Sequence, residues 1–316
     1  MILTVTLNAA LDITYRVPRL RPHTTHRVAE VVERPGGKGL NVARVLAALG
    51  HDTVVTGFAG GPTGSALRAQ LAALGASGTL RGRITDALLP TAGTTRRTVG
   101  VVDAHTGDTT QLNEPGPPVT SAEWSDFIES YGRLLREAAA VALCGSLPPG
   151  VPVGMYARLV RDARAAGVPV LLDTSGEPLR RGIAARPDIV KPNADELAGL
   201  TGSTEPVRAA REARRRGAHA VAASLGADGM LAVTADTAWR ATPPRRLAGN
   251  PTGAGDSAVA GLLSGLVEGL SWPHRLARAV ALAAATVRAP AAGEFDRATY
   301  EEALPHIRIT EHPAVA

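Results

Sequence analysis

The sequence predicts an α/β protein: a mainly parallel sheet buried between layers of helices, with a small second sheet projecting from it as a lid. Three features predict it. From about residue 120 onward, short apolar runs bounded by turn residues alternate with stretches of helical periodicity, the signature of βα units. Each run is too short to stand as a two-sided surface strand and suits a sheet covered on both faces. Two stretches in the first third, 12–33 and 94–112, alternate polar and apolar residues instead, as antiparallel strands with one face toward water do.

Taken in order, residues 2–7 form a strand of the main sheet and 12–33 the first part of the lid. Helices over 40–49 and 64–74 flank a strand at 52–58. Residues 83–93 match no pattern. The second lid stretch follows, with Thr98-Val99-Gly100-Val101-Val102, a turn at 103–108 and a return at 109–112. Strands come next at 139–144, 168–173, 188–190, 218–224 and 230–233, with helices at 153–166, 194–200 and 207–216. Two apolar helices, 254–269 and 274–288, complete the series. No repeat or linker interrupts it, so 1–316 reads as one domain.

Composition excludes several functions. With 316 residues, 45% hydrophobic and 20% charged, the chain can bury a sizeable core. A net charge of +5 invites a nucleic-acid reading, but only ten residues are aromatic, too few to build stacking platforms. The bases are also interleaved with 29 acids, and Arg214-Arg215-Arg216 follows Glu212 on what reads as a solvated helix face. No nucleic-acid partner is expected. The single cysteine, Cys144, lies in an apolar run and points to a buried thiol in a reducing, cytoplasmic setting. The eight histidines are scattered, so no metal cluster is expected. The N-terminus has no basic leader, and the apolar pattern over 276–289 is broken by Arg278 and Arg288, so no signal peptide and no membrane span are expected. Of 34 basic residues only Lys38 and Lys191 are lysine, and each sits in a Gly- or Pro-punctuated motif. A compact ammonium suits a phosphate.

The strongest local signal is Asn250-Pro251-Thr252-Gly253-Ala254-Gly255-Asp256-Ser257, directly before a small-residue helix. Gly253 and Gly255 remove side chains where a backbone must approach a ligand. The free amides of the helix start attract an anion, and the helix dipole keeps Asp256 ionised. A carboxylate beside an anion hole is what phosphoryl transfer requires; a capped helix after a glycine turn would show the same residues. A second motif, Arg34-Pro35-Gly36-Gly37-Lys38-Gly39-Leu40-Asn41, matches neither a Walker loop nor a dinucleotide fingerprint. It offers a tight turn, one ammonium and an amide to sugar hydroxyls and an anionic group. In the third, Lys191-Pro192-Asn193-Ala194-Asp195-Glu196 ends a strand. Lys191 and Asn193 can reach phosphates there, and Glu196 can orient a hydrated Mg²⁺. Asn193 and Glu196 also spell a capping box, and the two roles are compatible. Ser224-Leu225-Gly226-Ala227-Asp228-Gly229 reads equally as a hairpin turn. Ser146, after Cys144-Gly145, and Asp12, after Asn8, fall at strand ends. Arg96 and Arg97 lie in the lid, where a guanidinium can close over a phosphate.

In this order the motifs resemble the PfkB family of carbohydrate kinases. The resemblance runs from Thr6-Leu7-Asn8 with Asp12, through 36–41, 145–150, Asp173-Thr174-Ser175-Gly176, 191–196 and 224–229, to 253–256. It implies a ribokinase-like fold, a three-layer α/β/α sandwich with a small β-sheet lid. Lys38 within Gly-Gly-Lys-Gly and the Asn113-Glu114-Pro115-Gly116-Pro117 segment resemble the phosphosugar branch, 1-phosphofructokinase and tagatose-6-phosphate kinase above the minor 6-phosphofructokinase. One departure is Ala9, where many relatives carry proline.

The resemblance implies ATP-dependent conversion of a ketohexose monophosphate to a bisphosphate, fructose 1-phosphate being the first choice of acceptor. Asp256 would be the base, and Gly253, Ala254 and Gly255 the anion hole. Lys191, Asn193, Ser224, Gly226 and Gly229 would hold ATP, with Glu196 acting through Mg²⁺ and water. Asp12, Gly37 and Asn41 would bind sugar hydroxyls, and Lys38, Arg27, Arg96 and Ser146 the substrate's phosphate. Subunits would pair through the lid as a homodimer. Two other readings are weaker. A non-catalytic sugar-phosphate-binding regulator has no use for a proton acceptor beside an anion hole. A nicotinamide dehydrogenase would need Gly-x-Gly-x-x-Gly after the first strand, where Asn8-Ala9-Ala10-Leu11-Asp12 stands.

Overall fold

The computed structural model describes residues 1–247 and 249–313, the side chains of 312 and 313 excepted. The chain opens with β1 (Ile2–Thr6), β2 (Ala10–Val17) and β3 (Glu30–Gly36), then α1 (Lys38–Leu49), β4 (Thr53–Ala59), α2 (Gly61–Ala76) and β5 (Ile84–Pro90). Next come β6 (Arg96–Asp103), β7 (Thr109–Asn113), α3 (Ser121–Leu135), β8 (Ala140–Cys144), α4 (Met155–Ala165), β9 (Val170–Asp173) and α5 (Gly176–Ala184). It continues through β10 (Ile189–Val190), α6 (Ala194–Thr201), α7 (Pro206–Arg215), β11 (Ala220–Ser224), β12 (Met230–Val233) and β13 (Thr237–Thr242). The last elements are α8 (Ala254–Val267), α9 (Trp272–Thr286), α10 (Arg297–Ala303) and β14 (Arg308–Pro313).

The main sheet runs in the order β14-β13-β12-β11-β10-β9-β8-β1-β4-β5. Its central strands, such as β1, β8 and β9, are buried on both sides, and alternate residues serve opposite helix layers, as the period of two dictates. Leu3 and Val5 of β1, Val141 and Leu143 of β8 and Leu172 of β9 pack with Phe127, Tyr131, Tyr156 and Leu159 of α3 and α4. Ile2, Ala140, Ala142, Cys144 and Leu171 turn the other way, toward α1, α8 and α9. That second face is lined by small residues, so helices approach closely. A Cβ on Gly261 of α8 would lie 2.6 Å from Ala279 Cα of α9.

The sheet is mixed: pairing is parallel from β5 to β11, and β12, β13 and β14 add antiparallel strands at one end. The segment without a pattern, 83–93, contains β5, a parallel edge strand beside β4. One of its faces is half open, so its residues carry no full apolar run. The lid order is β3-β2-β6-β7, and here the antiparallel expectation is corrected. The outer pairs are antiparallel, but β2 and β6 run parallel. The chain passes through β3, α1, β4, α2 and β5 between the two, a connection long enough to return β6 beside β2 in the same direction, which a short hairpin cannot do. The lid strands cover Ala10–Val17 and Glu30–Gly36 rather than all of 12–33, with a loop over 18–29.

Five further elements, α3, α5, β13, α10 and β14, lie outside the expected series. The first carried a readable start signal in Thr120 and Glu123. Thr120 Oγ1 accepts from Glu123 N at 3.2 Å, and Glu123 Oε2 accepts from Thr120 N at 2.7 Å. Its buried stripe is only Phe127, Tyr131 and Leu135.

Candidate active site

Parallel strands share a C-terminal edge, and the loops leaving it converge there. Asn8 follows β1, Gly145 follows β8, Asp173 ends β9, Lys191 follows β10 and Ser224 ends β11. The lid stands opposite, and between them lies a cleft of about 810 Å³. Asp12, Gly37, Lys38, Asn41, Arg96, Lys191, Asn193, Glu196, Ser224, Gly253, Gly255 and Asp256 all line it. β2, β6 and β7 add polar or small side chains, among them Thr14, Thr98, Gln111 and Asn113.

On the floor of the cleft Asp173 stands between the two lysines. Lys38 Nζ, on the first residue of α1, lies 3.1 Å from Asp173 Oδ2. Lys191 Nζ lies 3.3 Å from Oδ1. Asp173 is 1% exposed. For Lys38, burial alone would pull the ammonium pKa down; Asp173 and then Asp256 outweigh it and raise the pKa above the usual range. The Lys38 ammonium therefore stays charged, as a polyanion site needs.

Asp256 sits in the first turn of α8, and its carboxylate is not a cap. Asp256 Oδ2 accepts from Asn41 Nδ2 at 2.9 Å, which ties α8 to α1. Burial pushes its pKa up to about 6; Lys38 pulls down, Asp173 pushes up, and the Asn41 hydrogen bond and Lys191 pull down. A carboxyl poised there can take a proton from a hydroxyl near neutral pH. Before it, Gly253 adopts φ +84°, and a Cβ there would fall 2.8 Å from Ala292 Cα and Cβ. At Gly255 a Cβ would approach only Lys191 Nζ, at 3.6 Å. The amides of Gly255 and Asp256 take no backbone partner among the described residues and point from the positive end of α8. The Ala254 amide does not share that freedom. It donates to Pro251 O at 3.0 Å, unlike the other two.

On the lid side, burial pushes Asp12 up to about 6, while Arg96, a hydrogen bond from Thr98 and Arg44 pull it down. Gly36 leaves room for that carboxylate, since a Cβ would lie 2.0 Å from Asp12 Cγ. Gly37 N-caps α1 at φ +103°, where a Cβ would meet Thr6 Cγ2 at 2.7 Å. Arg96 donates to Asn8 O at 3.2 Å and to Glu114 O at 3.1 Å. Arg97 pairs with Glu114 instead.

Besides Ala254, four predicted residues lie outside the lining of this cleft. Arg27 is exposed on the 18–29 loop, where a hairpin too long for a tight turn carries it away. Ser146 is exposed and reaches the site only through Asn8, whose Nδ2 donates to its Oγ at 3.1 Å. Gly226 and Gly229 shape the β11–β12 turn. At Gly229, φ is +88° and a Cβ would strike Ala241 O at 2.0 Å, so packing on β13 accounts for it. Asn193 and Glu196 form the capping box: Asn193 Oδ1 accepts from Glu196 N at 2.8 Å, and Glu196 Oε2 accepts from Asn193 N at 2.9 Å. Glu196 Oε1 takes no protein partner among the described residues and can hold a hydrated cation through water. No group of three or more acidic, histidine or cysteine side chains among them can grip a metal directly.

Asp173, Arg34, Arg44 and Glu294 received no role from the sequence. For Asp173 a signal existed, an acid at a strand's C-terminal end in a lysine-poor chain. Glu294 gave none, because its partners are far away in the chain.

The family model "pfkB family carbohydrate kinase" matches residues 4–298. Phosphofructokinase-2 from Escherichia coli, solved in complex with fructose-6-phosphate, is 28% identical with a TM-score of 0.86, covering 96% of this chain and 98% of that one. The same enzyme has been solved in a tetrameric inhibited form. A Thermotoga maritima structure titled "Possible 1-phosphofructokinase" is 25% identical with a TM-score of 0.83, covering 100% of both chains. Arabidopsis thaliana ribokinase, complexed with ribose and ATP, is 25% identical with a TM-score of 0.72, over 96% of this chain and 98% of that one.

Proposed function

The chain belongs to the pfkB family of carbohydrate kinases, ATP-dependent phosphotransferases, and on that premise we propose that it phosphorylates a ketohexose monophosphate to a bisphosphate, with fructose 1-phosphate as its preferred acceptor. The observation that carries the reading is the buried Asp256 carboxyl, held by Asn41 at the N-terminus of α8 and flanked by two ammoniums. A neutral-sugar kinase has less need of Lys38 in this cleft. Asn113, at the start of the segment that resembles the phosphosugar branch, lines it too. The two phosphofructokinase neighbours support the ketohexose phosphate class.

In this reading the acceptor hydroxyl, bound among Asp12, Gly37 and Asn41, gives its proton to Asp256 as its oxygen attacks the γ-phosphorus of ATP. The bond from that phosphorus to the bridging oxygen breaks, and ADP leaves. The open amides of Gly255 and Asp256, with Gly253 clearing the approach, stabilise the charge on the transferring group. Lys191, Asn193 and Ser224 face the nucleotide. Lys38 and Arg96 face the substrate's phosphate, and Arg27 and Ser146 lose that assignment within one subunit. Glu196 would hold Mg²⁺ through water; when bound, the ion neutralises phosphate oxygens.

The whole chain acts as one kinase domain, and its partner is a second copy paired through the lid. Val31 and Leu112, 55% and 59% exposed, support this face, with Tyr15 opposite Val31 in register. No described helix is long and apolar enough to cross a membrane, and the lone thiol of Cys144 is buried, which suits the cytoplasm. A coupled ADP-release assay tests the function, with fructose 1-phosphate, tagatose 6-phosphate and fructose 6-phosphate each at low concentration. The highest kcat/KM is expected for fructose 1-phosphate; no turnover with any of the three rejects the reading.

A further inference from the structure

Glu294 follows α9 on a loop that no motif covers, yet its carboxylate lies between two guanidiniums. Glu294 Oε1 pairs with Arg34 of β3 and with Arg44 Nη2 of α1, the latter at 2.7 Å. The Arg44 side chain is 4% exposed. A cation so deeply buried depends on its partners, and these are Glu294 and Ala292 O, which Arg44 Nη1 reaches at 3.0 Å.

Both ends of this clasp touch the reaction centre. Arg44 stands nearly one turn beyond Asn41 on the same helix, and Asn41 donates to Asp256. Asn41 Oδ1 is buried without a hydrogen-bond partner among the described residues, so its amide depends on packing for orientation. What packs there is Gly293, where a Cβ would lie 2.9 Å from both Asn41 Oδ1 and Arg44 Nη1. The neighbouring residue, Ala292, is the wall behind Gly253: a Cβ on Gly253 would lie 2.8 Å from it. One loop therefore backs the side chain that orients the acid and also the turn that forms the anion cradle.

We propose that Glu294 is a positioning residue for phosphoryl transfer: through Arg44 it holds α1 against the 292–294 segment, so that Asn41 stays on Asp256 and Gly253 stays in its turn. The inference rests on Asp256 being the proton acceptor. Asp256 also faces Lys38, Asp173 and Lys191, none of which Glu294 touches.

The test measures kcat, both KM values, the pH profile of kcat and the melting temperature of the full chain carrying Glu294→Ala or Glu294→Gln. Glu294→Ala is expected to lower kcat about tenfold, with KM for ATP within about twofold. The acid limb of kcat should move to higher pH, because losing the Asn41 hydrogen bond removes a group that favours the ionised carboxyl. Glu294→Gln, which still accepts from Arg44, should keep part of kcat. If Glu294→Ala melts lower but keeps wild-type kcat and acid limb, Glu294 is only a structural tie and the proposal is overturned. If Glu294→Ala does not fold, wild-type kcat and acid limb in Glu294→Gln overturn it equally. Failure of the underlying reading is separate: near-normal kcat in Asp256→Asn would remove the base whatever the Glu294 variants do.

Discussion

Lys38 and Lys191, the only lysines of the chain, meet on the two oxygens of one carboxylate, Asp173, at 3.1 and 3.3 Å. One comes from the first residue of α1 on the lid side, the other from the strand edge on the Ser224 side. Two cations share one buried anion, so the trio keeps one positive charge to face Asp256 and the bound phosphates.

Lys38→Met should therefore raise KM for the sugar phosphate by about 10- to 100-fold, the worth of one charged hydrogen bond, and change KM for ATP far less. Lys38→Arg should not restore it, since a planar guanidinium cannot occupy the site of a compact ammonium. Steady-state kinetics with each substrate varied in turn checks this; an unchanged sugar-phosphate KM would take Lys38 off the substrate.

Asp256→Asn keeps the shape and the Asn41 contact but cannot accept a proton. We expect kcat to fall by about 10²- to 10⁴-fold with ATP affinity retained. Because the wild-type carboxyl is pushed up to about 6 by burial, the folded state binds its proton more tightly than the unfolded state does. That stabilisation is present at acid pH and is lost as pH rises from about 4 through about 6. The variant should thus melt higher than wild type at pH 7.5, and the difference should vanish near pH 4, as calorimetry at the two values will show.

The same carboxyl sets the acid limb of the rate profile. Activity needs it ionised, so kcat should fall tenfold per pH unit below an apparent pKa of about 6. Asp12, also pushed up to about 6 by burial, titrates alongside it. Asp12→Asn should leave one limb in kcat; a limb that disappears in that variant and persists in a residually active Asp256→Asn would exchange their roles.

Gly253 and Gly255 should separate folding from catalysis. Gly253→Ala forces a side chain into φ +84° and onto Ala292, and should cost about 1–3 kcal/mol of stability along with activity. Gly255→Ala meets only Lys191 Nζ and lies in a helix, so the protein should fold with equal or higher Tm. The added methyl occupies the approach to the amide cradle, and kcat should drop at least tenfold. A Gly255→Ala enzyme of normal kcat would place the transferring group elsewhere.

Much of the fold was legible because its causes are local. Runs such as Ile2–Thr6 and Ala140–Cys144 are buried on both faces and announce themselves as strands whatever they pair with. β5 was illegible, since an edge strand half open to water carries no complete pattern. The parallel pairing of β2 with β6 was illegible as well, because strand direction depends on the path taken between the two.

In the site, the glycine turns at Gly37 and Gly253, the acid at 256 and the two lysines could be picked out one motif at a time. Most of the residues that line the cleft could be marked in this way, because a positive φ, a helix N-terminus and a strand end are written in neighbouring positions. Which of them meet is a matter of the folded chain. Asp173 between the lysines, Asn41 on Asp256 and Glu294 on Arg44 join residues from different elements, and the burial that sets the Asp256 carboxyl near neutrality comes from all the surrounding elements together. Desolvation and Coulomb interactions depend on distance in space, which no local pattern records.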